Sequence, residues 1–346
     1  MMRLLSLILL MFVMTAVHAA DGKQITVYMY SEYIDPAIPK QFEQATGIAV
    51  RIDVYEAQEE MLAKLRAGGA AQYDVVVASD VIVPAMITLG LVRRLDQAKI
   101  PNRANVDAQF VDPEFDIGNV YSWPYQWGTV GLLYKKGAVD PKMVSWGAVF
   151  DPVQQPGPFV LMDEMRTQLA LALHHLGKPM NSRSPADLKA AGDLLITAKH
   201  SRKCLGFDGG VGAKNKVMAG EATIAVVYNG DAVRAMAEDP QLDFIVPSEG
   251  GVIAVDNLLI SSGAPNPDGA HAFIDYILDA KVGAQLSLFN HYATPNRVSR
   301  ELLPKPELAN YAIYPPERVM RVLQYLEDLG PATKLYDEVW TAVKSR

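Results

Sequence analysis

The chain has 346 residues, of which 50% are hydrophobic and 21% are charged, so it has the length of two ordinary domains and too apolar a composition for wholesale disorder. Its 32 basic and 39 acidic residues give a net charge of −7, which argues against a nucleic-acid ligand and leaves cationic partners open. The single cysteine, Cys204, excludes an intramolecular disulfide and a cysteine-based zinc cluster.

The N-terminus has the pattern of an export signal. A basic residue, Arg3, precedes an uncharged apolar segment over residues 4–17. This segment is shorter than the roughly 20 residues that span a bilayer, and small residues follow it. We therefore predict a signal peptide over residues 1–19, cleaved after Ala19, and a periplasmic mature protein. An uncut membrane anchor is the alternative.

Strand and helix patterns alternate along the first part of the chain. Residues 24–30 alternate β-branched and aromatic side chains, which predicts a strand, and Asp35 then caps a helix that ends at Gly47. Further strands are predicted over 48–54 and 73–78, and further helices over 56–66 and up to Gly90. Such βα units indicate a mainly parallel sheet with ligands in the loops after its strands, here those starting at Tyr30 and Ser79.

The pattern restarts after a strand-like segment over 129–134, which carries the chain into a second domain. Helices are predicted to begin at Asp163 and Ser184. Further strands are predicted over 222–228, 242–246, 252–255 and 258–261, and further helices near Pro267, Pro315 and Pro331. Two α/β domains joined by strands rather than by a long linker indicate a hinged pair around a cleft.

Catalytic motifs are missing from the sequence. It contains no G-x-S-x-G elbow, no H-E-x-x-H and no P-loop. Segment 209–214 has glycines and a lysine but lacks the GK[ST] ending and a predicted strand before it, so we predict a loop there. We therefore expect no enzyme activity, no cofactor and no metal. An enzyme that uses cleft acids as acid and base is the competing class.

Acidic, hydroxyl and aromatic residues follow the predicted strands. They are Tyr30, Ser31, Glu32, Ser79, Asp80, Asp163, Tyr228, Asp231 and Asp256. Asp80, Asp163 and Asp231 can instead cap helices, but an acid within an apolar strand, such as Asp256, needs a cation or donors. Together these residues suit a ligand with amines, because carboxylates accept ammonium protons and tyrosine rings attract cations. No arginine stands directly at these strand ends, which speaks against a purely anionic ligand.

Seven motifs carry a resemblance to a known family. They are YSEY at 30–33, FEQATG at 42–47, YDVVVAS at 73–79, PYQWGT at 124–129, YNGD at 228–231, EGG at 249–251 and YATPN at 292–296. With them the chain resembles the periplasmic polyamine-binding proteins, the spermidine/putrescine-binding components of ABC transporters, over essentially its whole mature length. The resemblance implies an α/β fold of the type II periplasmic binding-protein class, with the ligand cleft between two hinged lobes. Lobe 1 would take residues 21–128 and 257–301, and lobe 2 residues 132–253 and 304–346.

The resemblance also implies a role for individual residues. Asp256 matches the central acid that receives an amine, Glu32 and Asp231 match acids used for diamines, and Asp163 matches an acid used for longer polyamines. Ser31 and Ser79 match hydroxyl contacts, while Tyr30, Tyr228 and Tyr292 match aromatic walls. Ala254 and Val81 stand where the family has aromatic residues, which predicts a wider cleft.

We therefore predict a non-enzymatic receptor of an ABC importer. It would close by hinge motion on a small cationic ligand, a putrescine- or spermidine-like polyamine, and deliver it to a membrane permease. We expect a monomer that binds no nucleic acid. The alternative on the same scaffold is a receptor for another solute, such as a quaternary amine, a GABA-like amino acid or a metal complex.

Overall fold

Strands and helices alternate in the computed structural model, which describes residues 23–140 and 144–346; the predicted signal peptide, 1–19, lies outside the described residues. The strands are β1 (Gln24–Tyr30), β2 (Ala49–Tyr55), β3 (Val75–Ser79), β4 (Ser122–Lys135), β5 (Phe159–Met162), β6 (Cys204–Asp208), β7 (Ile224–Tyr228), β8 (Leu242–Ile245), β9 (Gly251–Ile260) and β10 (Leu323–Tyr325). The α-helices of the first half are α1 (Ala37–Thr46), α2 (Gln58–Arg66), α3 (Val83–Thr88), α4 (Gly147–Phe150) and α5 (Met165–His175). Those that follow are α6 (Pro185–Lys199), α7 (Gly210–Met218), α8 (Asn229–Glu238), α9 (Pro267–Ile277), α10 (Ala280–Asn290), α11 (Arg297–Leu302), α12 (Lys305–Leu308), α13 (Glu317–Met320) and α14 (Thr333–Ser345).

Local interactions set several of the predicted boundaries. Before α1, the Oδ1 atom of Asp35 accepts a hydrogen bond from the Ala37 N–H at 2.8 Å. The helix ends at Gly47, whose φ of +75° lies in the left-handed region that favours glycine. The side chain of Ser184 caps α6 by accepting the Asp187 N–H at 3.4 Å. These helix boundaries are therefore specified by residues close in sequence.

The strands form one mixed sheet in the order β2-β1-β3-β9-β4-β7-β5-β6, with β10 beside β9 and β8 beside β4. Strands β1, β2 and β3 are parallel, as are β5, β6 and β7. In contrast, β9 and β4 are antiparallel to each other and to their outer neighbours β3 and β7. The prediction of a mainly parallel sheet is thus wrong at the centre, because two long strands cross it in opposite directions.

The two central strands join two α/β lobes. Strand β4 has 14 residues, of which 122–129 pair with β9 and 130–135 pair with β7 and β8. Strand β9 pairs with β10 through 251–253 and with β3 through 256–260. The chain therefore passes between the lobes in continuous strands, which agrees with the predicted fold class. The residue boundaries that we assign to each lobe stay a prediction.

The loop predicted over 209–214 is wrong. Strand β6 precedes this segment, Gly209 is the extended N-cap residue, and helix α7 begins at Gly210. Ala213 and Val217, four residues apart on one face of α7, are buried in the core. Packing of this face outweighs the low helix propensity of the glycines, which a local pattern does not reveal.

Apolar side chains cover both faces of the sheet. All five residues of β3 are buried, and so is every residue of β4 except the last. Burial of a valine or leucine side chain stabilises a fold by about 1.5–3 kcal/mol, so the lobes are held by packing. Within residues 23–140 and 144–346, no helix is long and apolar enough to cross a membrane.

Candidate ligand-binding site

A cavity lies between the lobes at the ends of the strands. It measures about 540 Å³ with the open solvent at its mouth included. Its lining comes from the loops after β1 and β2, from the middle of β9, from the loop after α10 and from the starts of α5, α7 and α8. The lining residues are Tyr30, Ser31, Tyr33, Glu56, Glu164, Gly210, Val211, Tyr228, Asp231, Arg234, Asp256 and Tyr292. This is the position expected for a ligand of an α/β sheet.

The structure brings most of the predicted site residues together. Those that line the cavity are Tyr30, Ser31, Tyr228, Asp231, Asp256 and Tyr292. Glu32 lies beside the cavity in ion pairs, and Ser79 and Asp80 lie behind it, where Ser79 of β3 is opposite Asp256 of β9. Asp163 is the exception. Both of its carboxylate oxygens accept from Lys344 Nζ, at 2.7 and 2.8 Å, outside the cavity.

Asp256 is an acid of β9 that lines the cavity. The Tyr33 hydroxyl donates a hydrogen bond to its Oδ2 atom at 2.5 Å. Burial raises the pKa of Asp256 to about 6, although the Tyr33 hydrogen bond acts in the opposite direction. In the described part of the chain, no lysine or arginine forms an ion pair with this carboxylate; the neighbouring cations pair with other acids. The positive charge of a bound ammonium would therefore offset the free-energy cost of removing this carboxylate from water.

Glu164 supplies a second cavity acid, which the sequence analysis missed. It is the N-cap residue of α5, and its Oε2 atom accepts from the hydroxyls of Tyr228 at 2.7 Å and Thr167 at 3.2 Å. Burial raises the pKa of Glu164 to about 8, and the nearby negative charges of Glu59 and Asp256 add to the increase. The sequence places Asp163 and Glu164 next to each other before α5. Glu164 has extended backbone angles, φ −131° and ψ 115°, and successive side chains of an extended segment point to opposite sides, so only one of the two faces the cavity.

Asp80 does not line the cavity but holds the neighbouring strand ends in place through hydrogen bonds. Its carboxylate accepts from the Ser79 hydroxyl at 2.8 Å and from the N–H groups of Val81 at 2.9 Å and Val255 at 3.4 Å. Burial raises the pKa of Asp80 to about 7, and the charge of Asp256 raises it further. The bond to Val255 connects β3 to β9 one residue from Asp256. Asp80 thus fixes the strand that carries the central acid.

Four charged side chains form a separate cluster at the cavity, called here the Arg234 cluster: Glu32, Lys214, Asp231 and Arg234. Arg234 Nη2 lies 2.5 Å from Asp231 Oδ1 and 3.0 Å from Glu32 Oε2, and Lys214 Nζ lies 3.0 Å from Glu32 Oε2. Arg234 Nη1 also donates to the Glu32 carbonyl oxygen at 2.6 Å. The sequence analysis considered arginines only at the strand ends and therefore missed Arg234, which lines the cavity. Arg234 does not stand at a strand end but one helical turn after Asp231, where Asp231 and Arg234 share a face.

Tyrosine rings form the walls of the cavity. The rings of Tyr33 and Tyr292 meet edge to face with their centroids 5.0 Å apart, and the ring centroids of Tyr30 and Tyr55 are 4.5 Å apart. A Cβ atom at Gly230 would lie 2.1 Å from Cε2 of Tyr292, so only glycine allows this ring position. Neither Ala254 nor Val81 lines the cavity. Tyr33, which the sequence analysis did not single out, lines it instead.

This arrangement is suited to an ammonium group. Asp256 and Glu164 offer carboxylate oxygens without ion-pair partners among the described residues, and the tyrosine faces attract a cation. Among the described residues, no group of three or more histidine, cysteine, aspartate or glutamate side chains is placed to hold a metal ion.

Two hinged α/β lobes around such a cavity define a solute receptor of the two-lobe binding-protein class. The chain belongs to the family of bacterial extracellular solute-binding proteins, whose family model matches residues 37–316. This family consists of receptors rather than enzymes. Among its relatives, the spermidine/putrescine-binding periplasmic protein of Escherichia coli is 33% identical over 334 residues, which cover 96% of this chain and 94% of the relative.

Further relatives agree with this assignment. The putrescine/cadaverine-binding protein of Pseudomonas aeruginosa is 30% identical over 345 residues, covering 96% of each chain. A solved structure from Listeria monocytogenes is 34% identical with a TM-score of 0.86, covering 93% of this chain and 99% of that one. The spermidine/putrescine ABC transporter substrate-binding protein of Streptococcus pneumoniae is 28% identical with a TM-score of 0.76, over the same shares of the two chains.

Proposed function

We propose that this protein is the extracytoplasmic receptor of an ABC importer for polyamine-class amines, acting as a monomer that delivers its ligand to a membrane permease. The observation that carries the proposal is the pair Asp256 and Glu164. Both are cavity acids whose pKa is raised by burial, to about 6 and about 8, and neither forms an ion pair within the described residues. An ammonium group supplies the missing positive charge. The relatives named above, which bind putrescine, spermidine or cadaverine by their names, support the same ligand class.

Hinge closure is the proposed binding mechanism. Strands β4 and β9 join the two lobes, and each lobe contributes side chains to the cavity. A ligand is therefore enclosed only when the lobes approach each other. The ligand shifts the population toward the closed form because only that form offers it both walls. No covalent step is involved.

A thermal-shift screen tests the ligand class. Putrescine, spermidine and other primary amines should raise the melting temperature, whereas acetate and phosphate should not. At a ligand concentration of 100 times Kd, linkage stabilises the folded protein by about 2.7 kcal/mol, a readily measured shift. No shift with any amine at millimolar concentration would contradict the proposed function.

We also propose that residues 1–19 are a cleaved export signal. The support is the short uncharged apolar segment over 4–17, together with the periplasmic location that the names of the relatives give. Mass spectrometry of protein secreted by a Gram-negative host should show a chain that begins at Ala20 or Asp21. A membrane-bound product of full length would contradict this proposal.

A further inference from the structure

The Arg234 cluster is already neutral without a ligand. Its two acids, Glu32 and Asp231, are matched by Lys214 and Arg234 at 2.5–3.0 Å. The acids expected to receive the second ammonium of a diamine are therefore occupied by the protein's own cations. Asp256 and Glu164, which also line the cavity, have no such partners among the described residues. The two groups of acids thus differ in the charge that they can accept.

The start of helix α7 adds positive potential beside Asp231. Gly210 and Val211, the first residues of this nine-residue helix, line the cavity, and a Cβ atom at Gly210 would lie 2.5 Å from Asp231 Oδ2. Unpaired N–H groups give a helix N-terminus a partial positive charge. A second ammonium group at this position would be repelled by this partial charge as well as by Lys214 and Arg234.

Arg234 also keeps donor capacity. A guanidinium has five N–H donors, and the contacts to Asp231 and Glu32 use only the two Nη atoms. The Nε atom is buried, so a ligand in the cavity cannot reach it, but Nη1 carries a second N–H besides the one that it donates to the Glu32 carbonyl oxygen. Arg234 lines the cavity, and its side chain is 14% exposed. An oxygen atom of a ligand is the natural acceptor for such a group.

We propose that Arg234 determines specificity, so that the preferred ligand carries one ammonium group at one end and a hydrogen-bond acceptor at the other. Asp256 and Glu164 receive the ammonium, and Arg234 donates to an amide or carboxylate oxygen. The inference rests on the proposed function for the ammonium end and extends it at the distal end. N-acylated diamines and ω-amino acids share this chemistry.

Isothermal titration calorimetry with four ligands of matched chain length tests the proposal: putrescine, N-acetylputrescine, 4-aminobutyrate and n-butylamine. We expect N-acetylputrescine or 4-aminobutyrate to bind at least about tenfold more tightly than putrescine. The order of these two distinguishes an amide from a carboxylate acceptor. The n-butylamine titration measures the affinity that the ammonium group and the carbon chain provide without a second polar group.

The variant Arg234→Gln should invert the preference. Without the guanidinium, Glu32 and Asp231 are left with excess negative charge, so putrescine should gain affinity and the acceptor ligands should lose it. Lys216→Gln is the matched control, because Lys216 is a cation on the neighbouring helix α7 that pairs with Asp208 and does not line the cavity. This control should leave all four affinities unchanged. Circular dichroism melting of both variants verifies that they fold.

Each outcome separates the inference from the function on which it rests. If the unaltered protein binds putrescine more tightly than both acceptor ligands, the inference is overturned and the amine receptor stands. The same holds if Arg234→Gln weakens all four ligands by equal factors. If none of the four amines binds, the proposed function falls as well, and the inference falls with it.

Discussion

Replacing Asp256 by asparagine should weaken binding of an amine ligand by about 2–5 kcal/mol, a loss on the order of 30-fold to several thousand-fold. The substitution removes the charge that faces the ammonium but keeps an oxygen that accepts the Tyr33 hydroxyl. The unliganded protein should become more stable at pH 7. Burial raises the pKa of Asp256 to about 6, so the stability that this group contributes is present at low pH and is lost as pH rises through 6.

Asp163→Asn is the matched control for this experiment. It is the same chemical change at an acid that lies outside the cavity and pairs with Lys344. Its effect on affinity should stay within about 0.5 kcal/mol, as for most surface positions. Calorimetry on both variants decides the question, since comparable small losses would move the ammonium site away from Asp256.

Amine affinity should rise with pH between 5.5 and 8.5, by on the order of 1,000-fold if both acids must be ionised. The ligand favours ionised Asp256 and Glu164, whose pKa values are raised to about 6 and about 8, so binding must release protons below those pH values. Asp80, whose pKa burial raises to about 7, adds to the response through its proximity to Asp256. The ligand amine, with a pKa near 10, stays charged throughout.

The stability of the unliganded protein should change in the opposite direction. Because the folded-state pKa values of these acids lie above their unfolded values, their contribution is complete near pH 4 and is lost as pH rises through 6 to 8. Calorimetry in two buffers of different ionisation enthalpy counts the protons released on binding. Glu164→Gln should remove the response above pH 7 and keep the response near pH 6. An affinity that does not change with pH in the unaltered protein would contradict these assignments.

Features that depend on neighbouring residues were predictable from sequence. The alternation in 24–30 predicts β1 with its observed bounds, and Gly47 ends α1 because it adopts a positive φ. The central position of Asp256 was also predictable, since an acid in an apolar strand requires a partner. The overall two-lobe class follows from the βα pattern together with the family resemblance.

Features that depend on tertiary packing were not predictable in the same way. The sequence cannot distinguish Asp163 from Glu164, because the direction of each side chain is set by how α5 packs on the lobe. It also does not show that α7 and α8 bring Lys214 and Arg234 to Glu32, which is 182 residues from Lys214. The antiparallel centre of the sheet was missed for a related reason, since pairing of β4 with β9 joins segments far apart in the chain.

The late position of β9 in the sequence also constrains the order in which the molecule can assemble. β3 pairs with β9, joining Val75 to Ile260, and the hydroxyl of Tyr33 reaches a carboxylate 223 residues further along. Neither the β3–β9 pairing nor the contact of Tyr33 with Asp256 can form until about three-quarters of the chain has been synthesised. Contacts of such sequence separation form slowly, because loop closure precedes the energetic gain. A newly made chain therefore stays incompletely folded while it is still short, and both lobes depend on a strand that is made late.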